Sequence, residues 1–178
     1  ERAAEAEHYR RWFTEHGYRD VVMPRAINEA EGDFAWTGRV LLAGTGFRTE
    51  PAAHAEAARA LGVPVVALRL VDPRYYHLDT ALFVLSEDHV AYFPAAFAPE
   101  SRATLRKLFP SAVLADDTAA ACLGLNGVSD GYHVVLPIEA HALGDRLAAR
   151  GYLPVYCDIS ELRKAGGGPK CCTMELRD

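Results

Sequence analysis

Short runs of apolar and β-branched residues alternate along the chain with longer amphipathic stretches, and glycine or proline marks the joints. A helix-like stretch, a turn residue and a short strand follow one another four times. They are His16-Gly17-Tyr18 into Val21-Val22-Met23, Leu61-Gly62-Val63 into Val65-Val66-Ala67-Leu68, Phe109-Pro110-Ser111 into Ala112-Val113-Leu114, and Arg150-Gly151-Tyr152 into Pro154-Val155-Tyr156. The turns recur roughly every 40 to 50 residues, which is the mark of a repeated supersecondary unit. Between them lie paired apolar runs, 33–36 with 40–43, 81–85 with 90–93, and 123–125 with 133–136, each joined by a polar or glycine-containing turn. Each pair reads as a hairpin.

Helices are expected at about 51–61, 99–108 and 138–150, with Pro51, Pro99 and Pro137 where a first helical turn tolerates proline. The unit is therefore strand, strand, helix, strand, present in three nearly complete copies with flanking pieces. Such units bury their faces only against their neighbours, so an arrangement around an axis is expected. A doubly wound sheet would need denser alternation of helix and strand. At the start, Tyr9, Trp12 and Phe13 share one helical face amid charged residues. The chain thus opens inside a helical pattern without a methionine, and the expectation is a domain that begins before Glu1.

With 178 residues, half of them apolar and a quarter charged, the chain suits one globular domain over 1–178. A formal net charge of −5 without a block of Lys or Arg argues against a nucleic-acid partner. It favours solubility and is compatible with a cationic small substrate. No apolar stretch is long enough for a bilayer and no signal-peptide pattern opens the chain, so neither a membrane partner nor export is expected and a cytoplasmic location is the default. The four cysteines include the neighbours Cys171 and Cys172, which makes reduced thiols the expectation. No Cys or His pair has metal-ligand spacing, so no metal is expected. The glycine run 166–168 does not continue into a phosphate-binding loop, and no nucleotide cofactor is expected either.

Three segments at strand ends carry candidate chemistry. Residues 28–33 hold a carboxylate cluster, residues 72–80 hold His77 and Asp79, and residues 166–176 bring a triple glycine to Cys171. On an extended segment His77 and Asp79 would share a face. A cysteine nucleophile needs a thiolate, a proton shuttle and a group to orient the shuttle. Cys171, His77 and a carboxylate of the first segment could supply these, and glycines would let backbone approach the thiol closely. Spacing alone leaves inert packing of the two cysteines open.

At these residues the chain resembles the superfamily of dimethylargininases, arginine deiminases, bacterial arginine dihydrolases and glycine amidinotransferases. Glu29-Ala30-Glu31-Gly32-Asp33 resembles its acidic motif, Gly44-Thr45-Gly46-Phe47-Arg48-Thr49 its Gly-x-x-x-Arg-Thr turn, and Tyr76-His77-Leu78-Asp79-Thr80 its histidine motif. Cys122-Leu123-Gly124-Leu125-Asn126 is similar to its Cys-to-Asn strand, and residues 166–176 to its nucleophile motif. The resemblance implies the pentein fold, a five-bladed α/β-propeller of strand-strand-helix-strand modules, with an N-terminal module not represented in this chain.

It further implies covalent catalysis. Cys171 would attack a guanidinium carbon, His77 would protonate the departing amine and activate water, and Glu29, preferred over Glu31, would be the third catalytic residue, brought into line by a bulge. Asp79 would hold guanidinium nitrogens, Arg48 the substrate's α-carboxylate, and Asp33 and Glu31 would complete the acidic side of the substrate site. Cys172 would point to the opposite face of a strand. The implied partner is a small guanidino amino acid, handled without cofactor or metal; apart from the resemblance, a homodimer is a reasonable assembly because symmetric dimers are the commonest oligomers. Dimethylarginine, giving citrulline and dimethylamine, is the first expectation. Arginine hydrolysis and amidino transfer are alternatives within the superfamily, and a non-catalytic ribosome-binding member of the same fold lies outside enzymes altogether.

Overall fold

The computed structural model describes residues 4–176. The chain opens with α1 (Glu5–Glu15), whose residues are all at least partly exposed. Three units of one design follow. The first comprises β1 (Phe34–Trp36), β2 (Leu41–Thr45), α2 (Pro51–Leu61) and β3 (Val65–Arg69). A short helical turn, α3 (Leu78–Ala81), leads into the second: β4 (Leu82–Ser86), β5 (His89–Tyr92), α4 (Pro99–Leu108) and β6 (Val113–Leu114). After α5 (Asp117–Ala121) the third has β7 (Val128–Ser129), β8 (His133–Pro137), α6 (His141–Ala148) and β9 (Leu153–Cys157). The last elements are α7 (Ser160–Lys164) and a 3-10 turn over Lys170–Cys172.

Each unit makes its own three-stranded sheet, an antiparallel hairpin extended by a parallel third strand that returns through the helix. Local chemistry explains the punctuation. Proline opens α2 and α4, where the missing N–H would have no partner within the helix. Gly62 closes α2 at φ +66°, a left-handed cap that a Cβ would disfavour. Asp116 caps α5 by accepting a bond from the Ala119 amide at 2.9 Å.

Neighbouring units are stitched by backbone and side-chain bonds. The Val71 and Ala98 amides donate to Ala96 and Arg69 carbonyls at 2.8 and 2.9 Å, joining the first unit to the second. Ser129 Oγ donates to the Leu85 carbonyl at 2.7 Å, joining the second to the third. The core spans all three and includes the fully buried Leu42, Leu68, Tyr92, Phe97, Phe109 and Leu136. Each such side chain contributes about 1.5–3 kcal/mol by leaving water.

Several expectations give way to different local structure. Residues 21–23 form no strand, and Val22 and Met23 are exposed; no strand lies beside them among the described residues to pair their backbone. The 123–125 run is a turn after α5, with Leu123 at φ +61°, and the hairpin partner of β8 is Val128–Ser129. Pro137 ends β8 and is followed by a 3-10 turn, Ile138–Ala140, before α6 begins. The segment at His77 is helical from Leu78 onward, and the nucleophile segment is a 3-10 turn, so neither pair of neighbours is arranged by strand alternation. No described helix is long and apolar enough to cross a membrane.

Gly127 marks a close approach of the second and third units. A Cβ there would lie 2.7 Å from both the Phe83 ring and the Val135 carbonyl. Gly127→Ala is expected to lower stability by about 1–3 kcal/mol through overpacking. A denaturant midpoint equal to the wild type would contradict this packing.

Candidate active site

The side chain of Asn126 is fully buried and joins three segments that are distant in sequence. Its Nδ2 donates to the Asp79 carbonyl at 3.1 Å, and its Oδ1 accepts from Gly168 N at 2.8 Å and from Cys171 N at 3.4 Å. The result places the Cys171 thiol over the Asp79 carboxylate, with Sγ donating to Oδ2 at 3.3 Å. Glycine is required on the approach. A Cβ on Gly167 would lie 2.5 Å from Cys171 Cβ and 2.9 Å from Sγ, and one on Gly168 would meet Asn126 Oδ1 at 3.0 Å. Gly166 adopts φ +89°, which turns the chain out of α7.

The acidic segment turns through a 3-10 element, Ala30–Gly32, where Ala30 has φ +45°. Holding a non-glycine residue there costs on the order of 1–3 kcal/mol. This turn, and not a β-bulge, sets the directions of the flanking carboxylates. Glu29 Oε2 lies 3.5 Å from His77 Nε2, and Glu29 Oε1 lies 3.8 Å from Arg48 Nη1. The Arg48 guanidinium also stands 5.0 Å over the Tyr76 ring.

Two predicted substrate contacts are engaged elsewhere. Asp33 is 1% exposed, and its carboxylate accepts from Leu78 N at 3.0 Å and Thr49 Oγ1 at 2.7 Å. Thr49 Oγ1 in turn accepts from the Glu29 amide at 3.1 Å. Asp33 therefore fixes the acidic segment, the Arg48-Thr49 turn and the start of α3 relative to one another. Glu31 is turned onto Lys170, 2.6 Å from its Nζ. Cys172 does not sit on the far face of a strand; its Sγ donates to the Pro169 carbonyl at 3.2 Å within the 3-10 turn. Asn126, Thr49 and Lys170 were not among the candidates. All three stand inside the quoted motifs, but a side chain that braces other segments leaves no mark of that role in spacing alone.

Electrostatics favour an uncharged thiol in the absence of a ligand. Burial pushes the Cys171 thiol up to about 11, helped by the adjacent Asp79 charge and its hydrogen bond. Burial likewise raises Asp79 to about 6, against the lowering effect of the Cys171 hydrogen bond and nearby His77. Asp79 Oδ1 and His77 Nε2 are buried without a hydrogen-bond partner. A groove of about 1270 Å³ runs along β1, β4 and β7 and reaches Asp79. No group of described residues is arranged to hold a metal ion.

No protein-family model matches the chain. It is 50% identical over 176 residues to the N(G),N(G)-dimethylarginine dimethylaminohydrolase of Mycobacterium tuberculosis, covering 99% of this chain and 58% of that protein. It is 32% identical over 183 residues to the bifunctional arginine dihydrolase/ornithine cyclodeaminase ArgZ of Synechocystis, covering all of this chain and 26% of that one. The N-terminal domain of ArgZ, solved with a covalently bound reaction intermediate, superposes with a TM-score of 0.89 over 94% of this chain and 64% of its own length, at 32% identity. Along nearly its whole length the chain is similar to the superfamily of dimethylargininases and arginine dihydrolases and shares its α/β fold. SxtG, an amidinotransferase from Microseira wollei at 19% identity and TM-score 0.71, shares the superfamily's α/β fold. The chain thus spans little more than half of the first curated relative and about a quarter of the second.

Removing the Asp33 carboxylate would leave the Leu78 amide and Thr49 hydroxyl buried without their acceptor. Asp33→Ala is expected to cost about 3 kcal/mol in stability, summed over two bonds to a charged acceptor. Chemical denaturation checks it, and a loss below about 0.5 kcal/mol, within the range of ordinary surface substitutions, would contradict the bracing role.

Proposed function

We propose that the protein is a cysteine-dependent hydrolase of a guanidino amino acid, converting dimethylarginine to citrulline and dimethylamine. The observation that carries the reading is the Cys171 thiol held 3.3 Å from Asp79 in a site lined by carboxylates. A planar cation fits that environment. In acyl transfer an oxyanion develops and needs N–H donors, yet the amides of Cys171 and Gly168 both point at Asn126 Oδ1. Attack on a guanidinium carbon neutralises positive charge instead, so carboxylates suit its bound state and amide donors are not required.

In this reading the guanidinium displaces the thiol from Asp79 and pairs with its carboxylate, including the unpartnered Oδ1. The cation beside Cys171 then favours the thiolate, and His77 takes up the thiol proton. Sulfur attacks the guanidinium carbon, and the tetrahedral adduct expels dimethylamine, which receives the proton from His77. A cationic thiouronium remains on sulfur. His77 next removes a proton from water, the hydroxide adds to the same carbon, and collapse expels the thiolate and releases citrulline as the adduct's hydroxyl proton passes to solvent; His77 then returns its proton to the sulfur. Glu29, 3.5 Å from His77 Nε2, orients the imidazole and stabilises its charged form. Arg48 receives the α-carboxylate, for which its planar fork is suited.

The same reading takes residues 1–178 as part of one catalytic domain and its three sheets as blades of a five-bladed ring. Three blades are three fifths of such a ring, a share similar to the 58% and 64% of the matched relatives that the chain spans. Arginine is the second candidate substrate, favoured by the similarity to ArgZ along the whole chain.

Product analysis of the full chain with each substrate tests the assignment. Dimethylamine and citrulline are expected from dimethylarginine; ammonia with ornithine from arginine, and no dimethylamine, would overturn the first choice. His77→Ala is expected to reduce kcat by about 10²–10⁴-fold, the usual weight of an acid–base group, with single-turnover kinetics as the check. Because the resting thiol is pushed up to about 11, its alkylation in the unliganded protein should accelerate about tenfold for each pH unit from 7 to 10. A plateau near pH 7 would contradict the uncharged resting thiol.

A further inference from the structure

Lys170 directly precedes Cys171, and its side chain is only 15% exposed. Its Nζ donates to Glu31 Oε2 at 2.6 Å and to Glu175 Oε1 at 2.8 Å. One ammonium thus ties the nucleophile turn to the acidic segment on one side and to the chain beyond the nucleophile on the other. Its backbone is fixed as well, since Lys170 N donates to the Asn126 carbonyl at 3.0 Å. Burial works against the lysine's charge, but the bonds to Glu175 and Glu31 outweigh it and hold the group above the ordinary lysine range. It remains a cation throughout the neutral range.

The acidic segment carries two identical carboxylates, Glu29 and Glu31, on either side of the strained Ala30. Nothing in their chemistry distinguishes them as partners for His77. Their surroundings do: Glu31 is bound by Lys170, whereas Glu29 lies beside His77. Charge adds a second consequence. Glu31 lines the same groove as Asp79, and an uncompensated carboxylate there would oppose formation of the thiolate; the Lys170 ammonium at 2.6 Å cancels that charge.

We propose, resting on the hydrolase reading above, that Lys170 is a positioning residue: it holds Glu31 out of the reaction so that Glu29 serves His77, and it clamps the Cys171 turn over Asp79. The lysine touches no reacting atom. It selects which of two carboxylates enters the chemistry and keeps the other from opposing the thiolate.

The test compares Lys170→Arg, Lys170→Met, Glu31→Gln and the double variant Lys170→Met/Glu31→Gln in the full chain. Two quantities are measured: kcat and KM with dimethylarginine and with arginine, and the rate of iodoacetamide alkylation at Cys171 at pH 8, located by peptide mass analysis. Lys170→Met is expected to lower kcat about tenfold while KM changes less than about threefold, and to slow alkylation about threefold by leaving Glu31 uncompensated. Lys170→Arg, which keeps the charge, should retain most of kcat. Adding Glu31→Gln to Lys170→Met should return alkylation to near the wild-type rate and recover part of kcat.

A lysine acting only as a structural prop would give a double variant no better than the single one, and that result would overturn the proposal. So would a Lys170→Met protein with wild-type kcat and alkylation. If Lys170→Met does not fold, Glu31→Gln alone decides: removing one carboxylate from the ammonium should accelerate alkylation, and an unchanged or slower rate overturns the proposal. The alkylation readout needs no substrate, so a protein that turns over neither guanidine would sink the hydrolase reading while leaving the clamp separately testable.

Discussion

The candidate site depends on one fully buried carboxamide. Asn126 follows the turn after α5 and reaches back to Asp79 and forward to Gly168 and Cys171, segments separated from it by more than forty residues on each side. Without its donor and acceptor, the Asp79 carbonyl and the Gly168 amide would be buried unpaired, at roughly 1–3 kcal/mol each. The distance between the thiol and the carboxylate is therefore a consequence of one side chain's geometry. Asp33 performs the same service on the opposite side, joining Glu29, Thr49 and Leu78. Between these two bonded side chains, Asp79 Oδ1 and His77 Nε2 are buried without a hydrogen bond, the latter 3.5 Å from Glu29 Oε2.

That contrast gives the site its chemical character. Asn126 and Asp33, which hold the architecture, are hydrogen-bonded, whereas Asp79 Oδ1 and His77 Nε2 are not. A carboxylate raised to about 6 next to a thiol raised to about 11 is poorly prepared to attack anything while the site is empty. A planar cation changes both at once, because it supplies the opposite charge that Asp79 and a thiolate each require. In the proposed hydrolase, selectivity for guanidinium compounds would begin with ionisation of the thiol as well as with the shape of the pocket.

Much of this could be read before any coordinates. The repeat was visible because helices and strands differ in hydrophobic period and because proline and glycine punctuate them at fixed places, as Pro51, Gly62 and Pro99 do. Local register was less legible. The Leu123-Gly124-Leu125 run has the composition of a strand, but Leu123 takes a left-handed conformation and the run becomes a turn, leaving Val128 and Ser129 to pair with β8. The motif residues Cys171, His77, Asp79 and Glu29 do converge in space, although through helical turns in place of strands. Asp33 and Glu31 show the limit most clearly. The sequence places both in an acidic motif, but their hydrogen-bond partners, Leu78, Thr49 and Lys170, come from other segments.

The central claim is that sulfur of Cys171 bonds the guanidinium carbon. Acid quenching of the full chain during turnover of dimethylarginine labelled with ¹³C at that carbon, followed by peptide mass analysis, tests it directly. The expected result is a labelled amidino adduct on Cys171 that forms and decays at rates compatible with turnover, and that is missing in Cys171→Ser. Product formation with no labelled cysteine, or with the label on Cys172, would contradict the account.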